Sequence, residues 1–246
     1  MKYKALIFDL DGTAIVTQKD AFPSQRTIEA VKEAQKYVSV SVATGRLLYN
    51  AKYIIDAFGI KNPCIFAGGS QVKNPVSNEI IWSKQMTALQ VGHILNICKQ
   101  YPYSLYISED QKLYLPNEKE SQPEMIIYIM DVPKDKSESI LHALSSIDNI
   151  AAHATGSWKM GCWDIHITHK DATKKSGLAY LLDSLKVKRE EVMVVGDTGN
   201  DIPLFESGGL KVAMGNATDE LKLKADFVTK SVYEDGLAYA IEKFIL

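Results

Sequence analysis

Short apolar runs, each too brief for a helix and each followed at once by polar or glycine-containing residues, recur at both ends of the chain. Ala5-Leu6-Ile7-Phe8 is the first and predicts a strand that ends in Asp9-Leu10-Asp11-Gly12-Thr13. Pro23-Ser24 then opens a helix reaching about Tyr37, with Ser24 as its cap. β-Branched alternation over residues 38–43 predicts a second strand. Leu48, Ala51, Ile55 and Phe58 recur at helical spacing, and Cys64-Ile65-Phe66 reads as a third strand before the Gly68-Gly69 turn. Toward the C-terminus, a helix carries Leu178, Leu181, Leu182 and Leu185 on one side. Val192-Met193-Val194-Val195 is apolar throughout, as a strand buried on both faces must be, and ends in Gly196-Asp197-Thr198-Gly199-Asn200-Asp201. Short strands at 210–213 and 226–228 and a helix after Gly236 complete the pattern. Strand and helix alternating in short units predict a parallel sheet with right-handed crossovers.

The middle of the chain has a different rhythm. A helix near 87–100, bearing Val91, Ile94, Leu95 and Cys98, precedes strands at 103–108, 111–115 and 125–130. Another helix at about 135–147 and strands at 150–155 and 161–168 follow. Strands in hairpin-like succession with two helices predict an antiparallel α+β module inserted into the α/β domain. The expected division is a core of residues 1–82 and 170–246 around an insert of 83–169.

Composition narrows the possible functions. With 46% hydrophobic and 24% charged residues over 246 positions, the chain can bury a real core. A formal charge of −2 supplies no overall basic field for nucleic acid or anionic lipid. No apolar segment approaches the roughly 18–20 residues that span a bilayer, and the N-terminus lacks a signal-peptide pattern. Cys64, Cys98 and Cys162 form no CxxC pair and read as reduced thiols. The expectation is a soluble, cytoplasmic protein, monomeric or homodimeric.

Three polar clusters sit just past apolar strands: Asp9/Asp11, Thr44-Gly45-Arg46, and Asp197/Asn200/Asp201. Open α/β sheets bind ligands at that edge, so the clusters are expected to share one crevice. Several carboxylates there repel one another, and a hard divalent cation with oxygen ligands, Mg²⁺ first, resolves the conflict. Asp9 is the candidate nucleophile, since a carboxylate can take up a phosphoryl group. Asp11, two residues on, can protonate the leaving oxygen and then deprotonate the attacking water. Thr44, the amides that follow it and a lysine can hold phosphate oxygens. Lys174 suits that lysine, with Lys175 and Lys170 as rivals. The metal set is read as Asp9, Asp11, Asp197 and Asp201, with Asn200 and Asp201 orienting waters and Lys174.

These residues resemble the haloacid dehalogenase superfamily, in particular its Cof-type sugar-phosphatase-like branch. Phe8-Asp9-Leu10-Asp11-Gly12-Thr13, Ala43-Thr44-Gly45-Arg46 and Gly196-Asp197-Thr198-Gly199-Asn200-Asp201 match the first, second and fourth motifs in order. Val212-Ala213-Met214-Gly215-Asn216-Ala217 and Glu234-Asp235-Gly236 are similar to runs of that branch. The third motif departs from the family's Lys-Gly, reading Thr173-Lys174-Lys175-Ser176-Gly177, and Gly68-Gly69-Ser70 stands where Asn-Gly-Ala is usual. The resemblance implies a Rossmann-like three-layer core with an inserted α+β cap. It also implies Mg²⁺-dependent hydrolysis of small phosphorylated metabolites, sugar phosphates first. Thr44, Gly45, Arg46, Lys174 and Asn200 would then contact substrate. A phosphomutase, a phospho-acceptor module and a silent binding protein are the alternatives. In the insert, strand alternation puts Cys162, Asp164 and His166 on one polar face and Trp163, Ile165 and Ile167 on the other.

Overall fold

The computed structural model describes residues 2–18, 20–109, 112–114 and 124–246. The chain forms two compact units, Met1–Trp82 with Lys174–Leu246, and Ser83–Thr173. Both are mixed α/β, and the first is built on an all-parallel sheet.

In the first unit, β1 (Ala5–Phe8) is central, between β2 (Ser39–Val42) and β11 (Val192–Gly196). Beyond β11 lie β12 (Leu210–Ala213) and β13 (Phe227–Val228), giving the order β13-β12-β11-β1-β2. Every pairing in this sheet is parallel. All residues of β1 and β11 are buried, which explains why both runs are apolar without alternation. Helices α1 (Gln25–Ala34), α2 (Leu48–Phe58), α5 (Lys174–Leu185) and α8 (Gly236–Phe244) connect or flank the strands. Ser24 caps α1 by accepting from the Thr27 amide. This helix stops at Ala34, short of the expected Tyr37, because Lys36 and Tyr37 turn back with tighter bonds to Glu33 and Ala34. Helix α2 ends where Gly59 adopts φ 68°.

β3 (Cys64–Phe66) bridges in parallel to Ala43 just past β2. Two strands escaped the hydrophobic pattern. β4 (Gln71–Lys73) pairs antiparallel with β3, and β5 (Ile80–Ser83) extends that small sheet. Three residues of mixed polarity, and a partly exposed edge strand, leave too little periodicity to read. The short helices α6 (Ile202–Phe205) and α7 (Asp219–Leu223) were missed for the same reason.

The second unit contains α3 (Ala88–Cys98), β6 (Ser104–Glu109), β7 (Lys112–Tyr114), β8 (Ile126–Pro133), α4 (Lys134–Leu144), β9 (Ile150–Gly156) and β10 (Cys162–His169). Its antiparallel sheet runs β7-β6-β8-β10-β9. Residues 111 and 115 of the expected 111–115 strand lie outside the described residues. Ile127, Ile129, Ile165 and Ile167 form a separate core with Val91 and Ile94 of α3 and Ile140 and Leu144 of α4. The polar face expected for β10 needs correction. The register against β8 shifts between Trp163 and Ile165, and Asp164 is buried, accepting from the Asp131 amide at 2.9 Å. A bulge lets a carboxylate satisfy the amide of Asp131, a residue held at φ 58°, instead of facing solvent. His166 stands edge-on to Tyr128 across the sheet, with ring centroids 4.8 Å apart.

No helix among the described residues is long and apolar enough to cross a membrane. The three cysteines are free, and burial pushes the Cys64 thiol up to about 12, making it chemically quiet. Phe58 of α2 meets Phe8 of β1 edge-on, with ring centroids 5.7 Å apart, and neither is solvent-exposed. Phe58→Ala should therefore cost about 3–5 kcal/mol, the usual range for emptying such a site. A smaller loss in urea unfolding would mean that α2 collapses onto β1 and refills the space.

Candidate active site

The strand register builds the site. Phe8 of β1 lies level with Val42 of β2 and Val195 of β11, so the three strands end together. The Asp9 amide donates to the Val195 carbonyl (3.0 Å) and the Ala43 amide to the Phe8 carbonyl (2.9 Å), fixing the next residues against one another. Asp9, Thr44 and Asp197 thus emerge at one edge, and all three are buried.

Lys174, the first residue of α5, closes the group from 165 positions away in sequence. Its ammonium donates to Oδ1 of Asp9 at 2.9 Å and to Oδ1 of Asp201 at 2.6 Å, with all three residues buried. Burial alone would lower the Lys174 pKa, but Asp201 and Asp9 outweigh it and the net shift is upward. Burial raises the Asp9 carboxyl, Lys174 opposes this, and Asp201 and Asp11 add to the rise. Asp197 is raised by burial and then by Asp201 and Asp9. Lys175 turns outward to Glu206 at 3.1 Å, so the geometry separates the two neighbouring lysines.

Asp201 is an organiser. While Oδ1 holds Lys174, Oδ2 accepts the amides of Asp197 (3.0 Å) and Thr198 (3.3 Å). A side chain on Gly196 would stand 2.5 Å from the Asp201 carboxylate, which accounts for the glycine there. Gly12, at φ 80°, is constrained in the same way, because a β-carbon would overlap the Asp197 carboxylate. Asn200 accepts from the Thr198 hydroxyl at 2.8 Å and closes the same turn. Asn216 is a residue whose role the sequence left unread. Its amide donates to the Gly12 carbonyl and accepts from the Val232 amide, both at 2.8 Å, so one side chain clamps the Asp11–Thr13 loop. Only the fold brings residues 12, 216 and 232 together.

Asp11 and Arg46 stand together. The carboxylate of Asp11, expected among the metal ligands, is outside the group formed by Asp9, Asp197 and Asp201. Arg46, expected to contact substrate, donates from Nε and Nη2 to the two oxygens of Asp11 at 2.8 and 2.6 Å. Thr44 accepts the Arg46 amide at 3.1 Å.

The three-carboxylate group suits a cation. One oxygen from each of Asp9, Asp197 and Asp201 lies within 4.8 Å of the others, the only such group among the described residues. Oδ1 of Asp197 is buried with no hydrogen-bond partner, an expensive state for a carboxylate oxygen. Four carboxylates, those of Asp9, Asp11, Asp197 and Asp201, face the two cations Lys174 and Arg46. The formal excess of negative charge matches a divalent ion with oxygen ligands.

A family model described as haloacid dehalogenase-like hydrolase matches residues 6–152 and 122–241. The chain is 27% identical over 243 residues to a phosphoglycolate phosphatase of Methanothermobacter thermautotrophicus, covering 98% of this chain and 99% of that protein. It is 26% identical over 257 residues to a 5-amino-6-(5-phospho-D-ribitylamino)uracil phosphatase of Bacillus subtilis, covering 99% and 96%. Among solved structures it is similar to a haloacid dehalogenase subclass IIB sugar phosphatase, at TM-score 0.82 and 24% identity over 98% of both chains. A Cof-like hydrolase from Plasmodium vivax superposes at TM-score 0.86 with 21% identity, covering 98% of this chain and 95% of that one. At these identities the structural likenesses establish the fold.

If repulsion in the acidic group is as described, Asp197→Asn should raise the thermal midpoint in metal-free buffer and abolish stabilisation by added divalent cation. Each 1 kcal/mol relieved moves the midpoint by about 2–4 °C in a chain of this size. A variant that is less stable than the parent, or that still responds to cation, would count against this assignment.

Proposed function

The chain belongs to the haloacid dehalogenase-like hydrolase family, and on that premise we propose that it is a Mg²⁺-dependent phosphatase of small phosphorylated metabolites working through a phosphoryl-aspartate on Asp9. The observation that carries this reading is the buried Lys174 bridging Asp9 and Asp201 beside the unpartnered oxygen of Asp197. Such a centre combines a carboxylate nucleophile, a fixed positive charge and an acidic pocket for a cation.

Lys174 holds Oδ1 of Asp9, so Oδ2 is the attacking oxygen in our reading. The bond from Asp9 to phosphorus forms as the bond to the leaving oxygen breaks, and Asp11 gives that oxygen its proton. Water then attacks phosphorus, Asp11 takes the proton, and inorganic phosphate departs with Asp9 restored. Thr44, with the amides of the Gly45 segment and Lys174, would hold the phosphoryl oxygens. Asp9, Asp197 and Asp201 would hold Mg²⁺, which when bound offsets negative charge and draws electron density from the phosphoryl group. We assign leaving-group selection to the inserted α+β unit, expected over 83–169 and compact as Ser83–Thr173.

Sugar phosphates lead the candidate substrates. The two phosphatases matched over nearly their whole length are named for different substrates. Both names describe phosphate on an aliphatic oxygen, a poor leaving group that needs an acid such as Asp11.

The test measures phosphate release from a panel of sugar and other small-metabolite phosphates, with and without Mg²⁺, beside Asp9→Asn. Release should require the cation and vanish in Asp9→Asn, while Asp11→Asn should lose about 10²–10⁴-fold on alkyl esters. Isomerised sugar phosphate without release would replace the phosphatase reading with a mutase. Undiminished release by Asp9→Asn would remove Asp9 as nucleophile.

A further inference from the structure

We infer that Arg46 is a positioning residue that fixes the proton-transferring carboxylate of Asp11, and that it is not a contact for the substrate phosphate. The inference rests on the phosphatase reading above and adds a role that the motif pattern does not assign.

A guanidinium has five N–H donors and no acceptor, and four of those of Arg46 are committed within the first unit. Nε and Nη2 grip the two oxygens of Asp11 at 2.8 and 2.6 Å. Nη1 donates to the Asn50 carbonyl at 3.3 Å and to the Tyr53 hydroxyl at 3.2 Å, both on α2. Tyr53 in turn donates to the Ala21 carbonyl at 3.0 Å, and its ring stacks on Phe22 with centroids 6.3 Å apart. The main chain of Arg46 is pinned as well, its amide on the Thr44 hydroxyl (3.1 Å) and its carbonyl on the Ala67 amide (2.9 Å).

A side chain anchored at so many points is poorly suited to following a phosphoryl group through two transfers, but well suited to holding another group still. The two-point fork fixes the plane of the Asp11 carboxylate, which a single hydrogen bond or a point charge does not. Asp11 is the more exposed of the pair, at 28% of its side chain against 10% for Arg46, so the carboxylate is the accessible end. In the first transfer Asp11 must deliver its proton to the leaving oxygen as the phosphorus–oxygen bond breaks. Misplacing a reacting group by about 1 Å can cost roughly 10²-fold in rate.

The readout is the single-turnover rate of leaving-group release, which isolates the first transfer from hydrolysis of the phosphoryl-aspartate. Two Mg²⁺-supported reactions are compared: an alkyl phosphate hydrolysed by the wild type, and 2,4-dinitrophenyl phosphate, whose phenolate leaves without a proton. Arg46→Ala should slow the alkyl ester by roughly 10²-fold and leave the dinitrophenyl ester close to its parent rate, as Asp11→Asn should. Arg46→Lys keeps the charge without the fork and should show the same selective loss. Tyr53→Phe, a change at a partly exposed ring, should show it to a smaller degree and serves if Arg46→Ala does not fold. Equal slowing of both esters, or a loss confined to half-saturating concentration, would overturn the inference in favour of a phosphate contact. A wild type that cleaves neither ester would overturn the phosphatase reading itself, and the two failures are told apart by the wild type alone.

Discussion

Lys174 is the charge on which the catalytic unit turns. Its ammonium is buried between Asp9 and Asp201, which come from opposite ends of the chain. Bringing three carboxylates within 4.8 Å of one another in a desolvated pocket is unfavourable without positive charge. Lys174 supplies part of it, and the direction of every shift in the group follows. The lysine is driven upward by its two partners, Asp9 upward by burial and then by Asp201 and Asp11 against Lys174, and Asp197 upward by burial and then by Asp201 and Asp9. Removing Lys174 would leave its two buried carboxylates uncompensated, which typically costs about 3–5 kcal/mol.

The sheet makes this concentration of charge possible. Parallel pairing sets Phe8 level with Val42 and Val195, so the loops that follow leave the sheet at the same height. Two glycines then let backbone and carboxylate approach closely, Gly12 against Asp197 and Gly196 against Asp201. Asn216 and Asp201 hold the loops by satisfying their backbone groups. The residues of the candidate site are therefore carried on short loops whose freedom is removed by hydrogen bonds from neighbouring strand ends. In the proposed reaction, preorganisation of that kind would lower the reorganisation needed during phosphoryl transfer.

The acidic residues divide into two sets. Asp9, Asp197 and Asp201 share the buried pocket, whereas Asp11 belongs to the more exposed pair with Arg46. The division matches the two demands of the proposed reaction, a fixed centre to hold a cation and a carboxylate to exchange protons with a leaving group and with water. The second unit has its own apolar core and an antiparallel sheet, in contrast to the parallel sheet of the first.

The sequence by itself determined the α/β class, the strands that lead into the candidate site and the nucleophile candidate. Strands buried on both faces must be apolar throughout, and the polar residues that interrupt them mark where they end. Ser24 and the Leu178–Leu185 face were legible for similarly local reasons. Tertiary structure alone decided what depends on long-range partners. It separated Lys174 from Lys175, moved Asp11 and Arg46 into a pair, buried Asp164 at a bulge and gave Asn216 its clamp. Local periodicity reports which face of an element is apolar, but a hydrogen-bond partner 204 residues away leaves no trace in it.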